Sequence, residues 1–327
     1  MLRTVEQIDV AVVGLGRMGM ALCERLVACG FAVTATDIRS ETRAEAQAAG
    51  ARWAGAVPVA ARGARYVITC LPGDAEVESV TGELTGAMRE GAVWIEMSTA
   101  SPGVARRRDA AAAARGLHAL DAPVGGNPDA ARRGQLLCLV GGGSEVLRSA
   151  RPALEVVADR IVHVGPAGAG YLMKLLANSI WFTQALATAE ALALAARAGL
   201  DPETARQALA LTAATGRFLT DDAPAFLRGD NYESFGLSRC CDQLAAVVEL
   251  GAQLAVQLSV TTEVADLHRQ ALAHYGDVDG ELLGARWVAE RAGLNFSQDV
   301  QAQRPSREDA ARRLDVGPQH PVLEPGG

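Results

Sequence analysis

The sequence predicts an α/β domain with a doubly wound, largely parallel sheet, followed by an all-α domain that is joined to it by a long helix. Short apolar segments alternate with helical segments over residues 1–165. This alternation is typical of a parallel sheet with helices on both faces. From residue 166 to about 295 only helical patterns follow. The length of 327 residues agrees with two domains, because one core rarely grows beyond roughly 250–300 residues.

The predicted strands are short runs rich in β-branched and other apolar residues. The first run, at residues 9–14, is followed by a helical pattern over 18–29, which Gly30 is expected to close as a C-cap. The remaining strands are predicted at 31–37, 66–71, 92–97, 117–121 and 136–141, and the alternating pattern ends near 161–165.

The second half of the chain is predicted to be helical. A long apolar pattern covers 169–198, and Asp201-Pro202 is typical of an N-cap followed by proline at the first helical position. The polar residues Lys174, Asn178, Gln184 and Glu190 interrupt the long pattern, which favours a buried helix over a membrane span. We expect residues 296–327, with four arginines and four prolines, to be a flexible tail.

Composition excludes several classes of protein. Hydrophobic residues make up 49% of the chain, which excludes global disorder, and the net charge of −7 argues against a nucleic-acid coat. The six cysteines and five histidines show no metal-ligand spacing, so we expect reduced thiols and no metal site. No signal peptide is expected in the first nine residues, and the predicted location is the cytoplasm.

A glycine-rich turn follows the first strand and opens the first helix. In this position a G-x-G-x-x-G pattern indicates a Rossmann-type dinucleotide site. The first glycine makes the turn, the second lets the backbone approach a pyrophosphate, and the helix N-terminus attracts the phosphates. The motif consists of Gly14, Leu15, Gly16, Arg17, Met18 and Gly19.

An acidic residue ends the second predicted strand, 23 residues after Gly14. The carboxylate of Asp37 can accept hydrogen bonds from both ribose hydroxyls of NAD and would repel a 2′-phosphate. Arg39 follows closely and could instead hold such a phosphate. The pattern favours NAD and leaves NADP open.

Further turns follow the later strands. Leu71-Pro72 and Ser98-Thr99 come at strand ends, where open α/β sheets bind their ligands, so we expect both to line the cofactor groove. After the next strand, Asp121-Ala122-Pro123-Val124-Gly125-Gly126-Asn127 forms a tight loop whose amides could bind a carboxylate. For each segment, an ordinary structural turn is the alternative.

Lys174 is the one lysine among 31 basic residues, which leaves 30 arginines. It shares a helix face with Asn178, and its neighbours are apolar, so the amine is expected to be partly buried. Burial lowers the pKa of a lysine toward neutrality, which suits general acid–base catalysis, whereas arginine does not deprotonate. A chance surface lysine is the alternative.

Taken together, the motifs resemble the β-hydroxyacid dehydrogenase family over about residues 9–295. The resemblance lies in GLGRMG at 14–19, LP at 71–72, EMSTASP at 96–102, DAPVGG at 121–126 and GAGYLMKLLAN at 168–178. It implies NAD(P) on the glycine loop, on Leu71-Pro72 and on Thr99. It implies Lys174 as general acid/base at the substrate hydroxyl, with hydride transfer between the alcohol carbon and the nicotinamide.

The resemblance also implies the substrate side of the site and the assembly. Asn178 and the loop with Gly125 and Gly126 are expected to hold a hydroxy acid or its aldehyde, and we assign Asn127 and Ser98 to the same side. A homodimer or tetramer is implied as the working form.

The sequence departs from the family pattern in three segments. The loop has Gly125 where the family has serine and Asn127 where it has glycine, Cys241 replaces a lysine before Asp242, and Ala177 replaces an asparagine. The altered loop predicts a substrate larger or less anionic than 3-hydroxyisobutyrate, with little turnover of glyoxylate, tartronate semialdehyde or 3-hydroxyisobutyrate. The alternatives are an imine reductase, against which Lys174 argues, and a dinucleotide-binding protein without turnover.

Overall fold

The computed structural model of the protein describes residues 8–296, which form two compact units. The first unit extends to Asn178 and the second begins at Ser179. The domain boundary expected at residue 165 stays a prediction. Apart from Phe296, the predicted C-terminal tail lies outside the described residues.

All nine described strands of the first unit belong to one sheet, with the order β3-β2-β1-β4-β5-β6-β8-β7 and with β9 beside β8. Neighbouring strands pair in parallel from β3 through β6, and β9 is parallel to β8, whereas β8 is antiparallel to β6 and β7. The strands are β1 Asp9–Val13, β2 Ala32–Thr36, β3 Arg52–Trp53, β4 Tyr66–Thr69, β5 Val93–Glu96, β6 His118–Asp121, β7 Val124–Gly125, β8 Leu136–Gly141 and β9 Ala158–Gly165.

Helices connect the strands of the first unit and confirm the predicted α/β class. Helix α1 follows the glycine-rich turn as expected and is ended by Gly30, whose φ is +89°. Sequence patterns missed β3 and β7, because two residues are too few to show a strand period. The helices are α1 Arg17–Ala28, α2 Thr42–Ala48, α3 Val57–Ala61, α4 Asp74–Ala87, α5 Pro102–Ala113, α6 Pro128–Arg133 and α7 Ser144–Val157.

The sheet is covered on both faces, which explains why its central strands are apolar without interruption. In β1, Val10 and Val12 belong to one core cluster, and Ala11 and Val13 belong to another. The first cluster is completed by buried residues of α1, α6 and α7, and the second by residues of α3, α4 and α5. Alternate side chains of one strand therefore pack into two different cores, one on each face of the sheet, as a doubly wound sheet requires.

The rest of the described chain is helical, as predicted. Helix α8 starts in the first unit and continues into the second, and Asp201 caps α9 by accepting a 2.8 Å hydrogen bond from the amide of Thr204. No helix within residues 8–296 is long and apolar enough to cross a membrane. The helices are α8 Ala169–Arg197, α9 Pro202–Ala210, α10 Ala223–Leu227, α11 Leu237–Gln253, α12 Ser259–Tyr275 and α13 Leu283–Arg291, with a π-helical turn at Phe218–Asp222.

A buried histidine lies in the core of the second unit. The ring of His268 packs edge-on against Phe182, with centroids 5.0 Å apart, and its Nδ1 lies 2.8 Å from the carbonyl oxygen of Val264. Gly284 leaves room for the ring, because a side chain there would meet Nε2. Burial lowers the pKa of His268 to about 4, so the imidazole is neutral in the folded protein at pH 7.

We expect His268 to make the second unit less stable in mild acid. An unfolded histidine titrates near pH 6.5, so unfolding takes up a proton below that pH, and stability falls between about pH 6.5 and pH 4. The loss between pH 7 and pH 5 amounts to roughly 2 kcal/mol for this residue. Urea unfolding of His268→Gln at both pH values should show a smaller acid loss than the wild type, and an equal acid loss would contradict the prediction.

Candidate active site

The glycine-rich turn is built for close approach of the backbone. Gly14 has a φ of +90°, and a side chain there would collide with the carbonyl oxygen of Cys70. A side chain at Gly19 would collide with the carbonyl oxygen of Gly14, so α1 packs directly against the turn. Gly16 faces open space, and α1 begins there without a side-chain cap. An uncapped helix N-terminus beside an open glycine fits a pyrophosphate.

The carboxylate of Asp37 is fixed beside this turn. It accepts a 2.6 Å hydrogen bond from the amide of Leu15 and a 2.8 Å hydrogen bond from the amide of Arg39. The guanidinium of Arg39 also donates to it, from Nε at 3.1 Å and from Nη2 at 3.2 Å. Burial opposes ionisation of Asp37, but these hydrogen bonds outweigh it and lower its pKa. The carboxylate of Asp37 is therefore ionised at neutral pH and paired with the guanidinium of Arg39.

The turns after β4 and β5 are tied to each other. The amide of Leu71 donates a 2.7 Å hydrogen bond to Oγ of Ser98, and that hydroxyl donates in turn to the carboxylate of Glu96. Ser98 is buried, Thr99 is half-buried and Pro72 is exposed. The hydroxyl of Ser98 thus joins the two strand ends inside the domain, and its assignment to the substrate stays a prediction.

Glu96 is a buried acid at the end of β5. Its Oε1 also accepts a 2.9 Å hydrogen bond from the amide of Ser98 and a 3.3 Å hydrogen bond from Oγ1 of Thr69, which itself accepts a 2.8 Å hydrogen bond from Trp94 Nε1. Burial raises the pKa of Glu96 to about 7, against the opposing effect of the nearby Arg108. This carboxyl group is therefore poised between its two protonation states at neutral pH.

Asp121 ends β6 and lies beside Glu96 in the parallel register. It is fully buried, and its carboxylate accepts hydrogen bonds from the amides of Gly168 at 2.8 Å and Tyr171 at 3.1 Å. These amides belong to the turn that starts α8, where backbone donors have no partner within the helix. Asp121 therefore caps the helix that carries Lys174.

Arg108, on α5, completes a buried cluster of charges. Its side chain is 1% exposed, and its Nη2 lies 3.9 Å from Oδ1 of Asp121. The guanidinium lies over the ring of Trp94, with Cζ 5.4 Å from the centroid, and 6.0 Å from the centroid of Tyr171. Its three nitrogens make no hydrogen bond within the described chain. Its contribution here is charge, which offsets the two buried carboxylates.

The loop after β6 divides its residues between different roles. Gly125 is half-buried, and a side chain there would meet only Leu137, at an ordinary 3.6 Å. Gly126 has a φ of +124°, and a side chain there would press on Leu136. Asn127 caps α6 by accepting a 2.9 Å hydrogen bond from the amide of Ala130. The loop can therefore present the backbone groups of Gly125 and Gly126 to a ligand, whereas the side-chain oxygen of Asn127 already caps α6.

Lys174 and Asn178 lie one turn apart on α8, and both are half-buried. Lys174 follows Tyr171 by three residues, so it lies on the helix face next to the turn held by Asp121. Cys241, which replaces the family's lysine, lies on α11 in the second unit. Burial raises the pKa of its thiol to about 11, so this position supplies no charge at neutral pH.

The structure connects the predicted motifs of the first unit in sequence. The turn at Gly14 packs against the backbone of Cys70, and the amide of Leu71 donates a hydrogen bond to Ser98. Gly168 packs against Pro102, and the amide of Tyr171 donates a hydrogen bond to Asp121. Within residues 8–296, no group of three or more potential ligands is placed to hold a metal ion.

Sequence reasoning missed the buried charges. Glu96 and Asp121 both end apolar strands. Two carboxyl groups at the same edge of the sheet are a pattern from which a buried acidic pair could have been predicted. Arg108 stands in a run of three arginines, where only the helical spacing from Val104 and Ala112 places it on the buried face.

The glycine turn, Asp37 and the strand-end turns define a protein of the dinucleotide-binding class. Residues 9–165 match the family described as the NAD binding domain of 6-phosphogluconate dehydrogenase, and residues 168–283 match the NAD-binding domain of NADP-dependent 3-hydroxyisobutyrate dehydrogenase. The chain belongs to the β-hydroxyacid dehydrogenase family. The predicted family is thereby confirmed, and so are the fold class and NAD, with NADP as the alternative.

Individual relatives support the same assignment. The NAD-dependent L-serine dehydrogenase of Pseudomonas aeruginosa is 37% identical over 196 residues, which are 59% of this chain and 66% of that protein. The 3-hydroxyisobutyrate dehydrogenase of the same organism is 38% identical over 197 residues, with the same coverage. The match therefore spans just under two thirds of each relative's length.

A solved structure extends the likeness over most of the chain. The structure of Mycobacterium tuberculosis 3-hydroxyisobutyrate dehydrogenase with L-serine has a TM-score of 0.79 and 28% identity. It covers 87% of this chain and 99% of its own. Both units therefore have counterparts in one dehydrogenase.

We expect Asp37 to set the preference for the cofactor. The wild type should bind NADH more tightly than NADPH, because a 2′-phosphate would meet the ionised carboxylate. Asp37→Ser removes the repulsion between the carboxylate and the 2′-phosphate and releases Arg39 from its partner. The Kd of NADPH should therefore fall relative to the Kd of NADH by about tenfold or more. Titration of nucleotide fluorescence measures both constants. An unchanged ratio would contradict the assignment, and Arg52→Ser, which removes an exposed ion pair with Asp9, serves as control.

Proposed function

We propose that the protein is an NAD(P)-dependent oxidoreductase that interconverts a hydroxy acid, or a related alcohol, and its aldehyde or ketone. The observation that carries the proposal is the capping of the Lys174 helix by Asp121, within the same compact unit as the glycine turn. A dinucleotide turn and a half-buried amine on one framework are the two parts that such a reaction needs.

The residues present fit a nicotinamide dinucleotide. The open backbone at Gly16 and the uncapped start of α1 suit the pyrophosphate, and Asp37 suits the adenosine ribose. Leu71, Pro72 and Thr99 are proposed to line the remainder of the groove. When bound, the nicotinamide ring accepts or gives up the hydride.

Lys174 is proposed to move the proton. In oxidation its amine takes the proton of the substrate hydroxyl, and in reduction its ammonium returns a proton to the forming alkoxide. An arginine could not replace it, because a guanidinium keeps its proton. Asn178, one turn further along the same face, is proposed to orient the substrate by hydrogen bonding.

The loop after β6 supports a finer proposal about the substrate. Gly125 provides backbone and space, and no side-chain hydroxyl is present there to bind a carboxylate. The side-chain oxygen of Asn127 accepts a hydrogen bond from the amide of Ala130, which fixes this side chain at the start of α6. We therefore propose a substrate larger or less anionic than 3-hydroxyisobutyrate at the end that faces Gly125.

Self-association is also proposed. Met173, Leu176 and Ile180 are exposed on α8 by 40%, 38% and 60% of their surface, at spacings of three and four residues. An exposed apolar stripe of this kind is typical of a contact between protein chains. A homodimer or tetramer in the cytoplasm is the proposed working form.

Two alternatives make different predictions. An imine reductase of the same architecture would not need the amine of Lys174 to act on a hydroxyl, and a binding protein without turnover would not need it at all. Substitution of Lys174 separates both alternatives from the proposed dehydrogenase.

Lys174→Arg should keep the positive charge and lose the proton transfer. We expect kcat to fall by a factor of about 10²–10⁴, with the Kd of NADH within about twofold of the wild type. Nicotinamide absorbance over a panel of hydroxy acids and aldehydes, with both cofactors, measures the turnover. Full activity in Lys174→Arg would overturn the proposal. Lys174→Ala should lose turnover in the same way and separates loss of acid–base capacity from crowding by the guanidinium.

Gly125→Ser should bring back activity on small anionic substrates. The position tolerates a side chain, and a hydroxyl that bonds to a carboxylate is worth about 1.5–3 kcal/mol, or roughly tenfold or more in kcat/KM. The panel should therefore show a gain on 3-hydroxyisobutyrate and L-serine relative to the wild type. Gly126→Ser, which is strained and obstructed by Leu136, should show no gain. Robust wild-type turnover of 3-hydroxyisobutyrate would refute this substrate assignment.

A further inference from the structure

The start of α8 is held by a carboxylate from another part of the chain. The carboxylate of Asp121 accepts hydrogen bonds from the amides of Gly168 and Tyr171 and is completely buried. Three residues beyond Tyr171, or about 4.5 Å along the helix axis, the chain reaches Lys174. Any displacement of the first turn therefore displaces the amine as well.

The surroundings of Asp121 leave it little freedom. A side chain at Gly141 or at Gly170 would come within 2.8 Å of its Oδ2, so both glycines are needed to admit the carboxylate. Gly168 packs against Pro102 in the same way. Backbone from β8 and from the start of α8 thus surrounds one carboxylate, and the start of α5 packs against Gly168.

Asp121 also begins the loop that carries Gly125. Its next residue, Ala122, donates a 2.7 Å hydrogen bond from its amide to the carbonyl oxygen of Glu96. The backbone that follows Asp121 is therefore held to the sheet, while the side chain of Asp121 is held to α8. Asp121 therefore links the start of this loop to the start of α8.

Arg108 explains how the carboxylates can stay in the interior. Glu96 and Asp121 are neighbours in register and both fully buried, and burial raises the pKa of each carboxyl group. The guanidinium, 3.9 Å from Asp121 and buried over Trp94, supplies the compensating charge. A cation that makes no hydrogen bonds within the described chain is difficult to explain by local stability alone.

We propose that Asp121, paired with Arg108, is a positioning residue that fixes the first turn of α8 and thereby holds Lys174 in register with the Gly125 loop. The inference rests on the proposed role of Lys174. It adds two residues that need not touch substrate or cofactor and that act through the backbone of α8.

The experiment uses the fact that Lys174 is the one lysine of the chain. Protein labelled with [6-¹³C]lysine gives a single side-chain resonance, whose pH titration reports the pKa of Lys174 without any turnover. Asp121→Asn keeps the size of the side chain and removes its charge and one acceptor oxygen. Arg108→Leu removes the compensating charge, and Arg107→Leu, one residue away with its side chain 66% exposed, is the matched control.

In Asp121→Asn and Arg108→Leu we expect the titration midpoint of Lys174 to move by about half a pKa unit or more. We expect kcat to fall by roughly tenfold to a hundredfold, because displacements near 1 Å are costly for proton and hydride transfer. The Kd of NADH should stay within about twofold, since the glycine turn is untouched. Arg107→Leu should change none of the three quantities.

A measurement on the wild type covers the case in which the variants do not fold. The amides of Gly168 and Tyr171 should be strongly protected from hydrogen exchange, although they lie at the start of a helix. Rapid exchange of both amides would overturn the proposal, as would an unchanged Lys174 resonance together with unchanged kcat in folded Asp121→Asn. Retained turnover in Lys174→Arg would instead overturn the proposed function, and the resonance and exchange results would still decide the role of Asp121.

Discussion

The hydrogen bonds between Asp121 and the start of α8 connect parts of the chain that lie up to 50 residues apart. They bring the end of a central strand to the helix that carries the one lysine. Because the same residue begins the Gly125 loop, a single carboxylate relates the sheet, the loop and the helix. In the proposed mechanism, this contact sets the position of the amine that transfers the proton.

This arrangement has a cost that the surrounding residues offset. Two carboxyl groups and a guanidinium are removed from water, and burial alone would neutralise or expel them. The carboxyl groups accept hydrogen bonds from backbone and hydroxyl donors, and Arg108 supplies positive charge close to the rings of Trp94 and Tyr171. The glycines at 141, 168 and 170 provide the space. The residues around the motifs are therefore constrained by the need to accommodate buried charged groups as well as by ligand binding.

The proposed site separates chemistry from specificity. The glycine turn, Asp37 and Lys174 lie on strand ends and on a helix, which are rigid, and they match the family pattern. Among the departures from that pattern, Gly125 lies in the loop proposed to face the substrate, whereas Asn127 caps α6. Such a division allows one fold to act on different hydroxy acids through changes in a few loop residues.

The sequence by itself determined the alternation of strands and helices, the glycine turn, the acid at the end of β2 and the singular lysine, because each depends on local spacing or residue type. It could not determine that Asn127 caps α6, that Ser98 joins two strand ends, or that Asp121 holds α8. Those roles depend on contacts between residues far apart in the chain, and a polar side chain at a strand end can serve a ligand or the backbone equally well. Only the packing of the sheet against its helices decides between the two, since it fixes which donors lie within hydrogen-bonding distance.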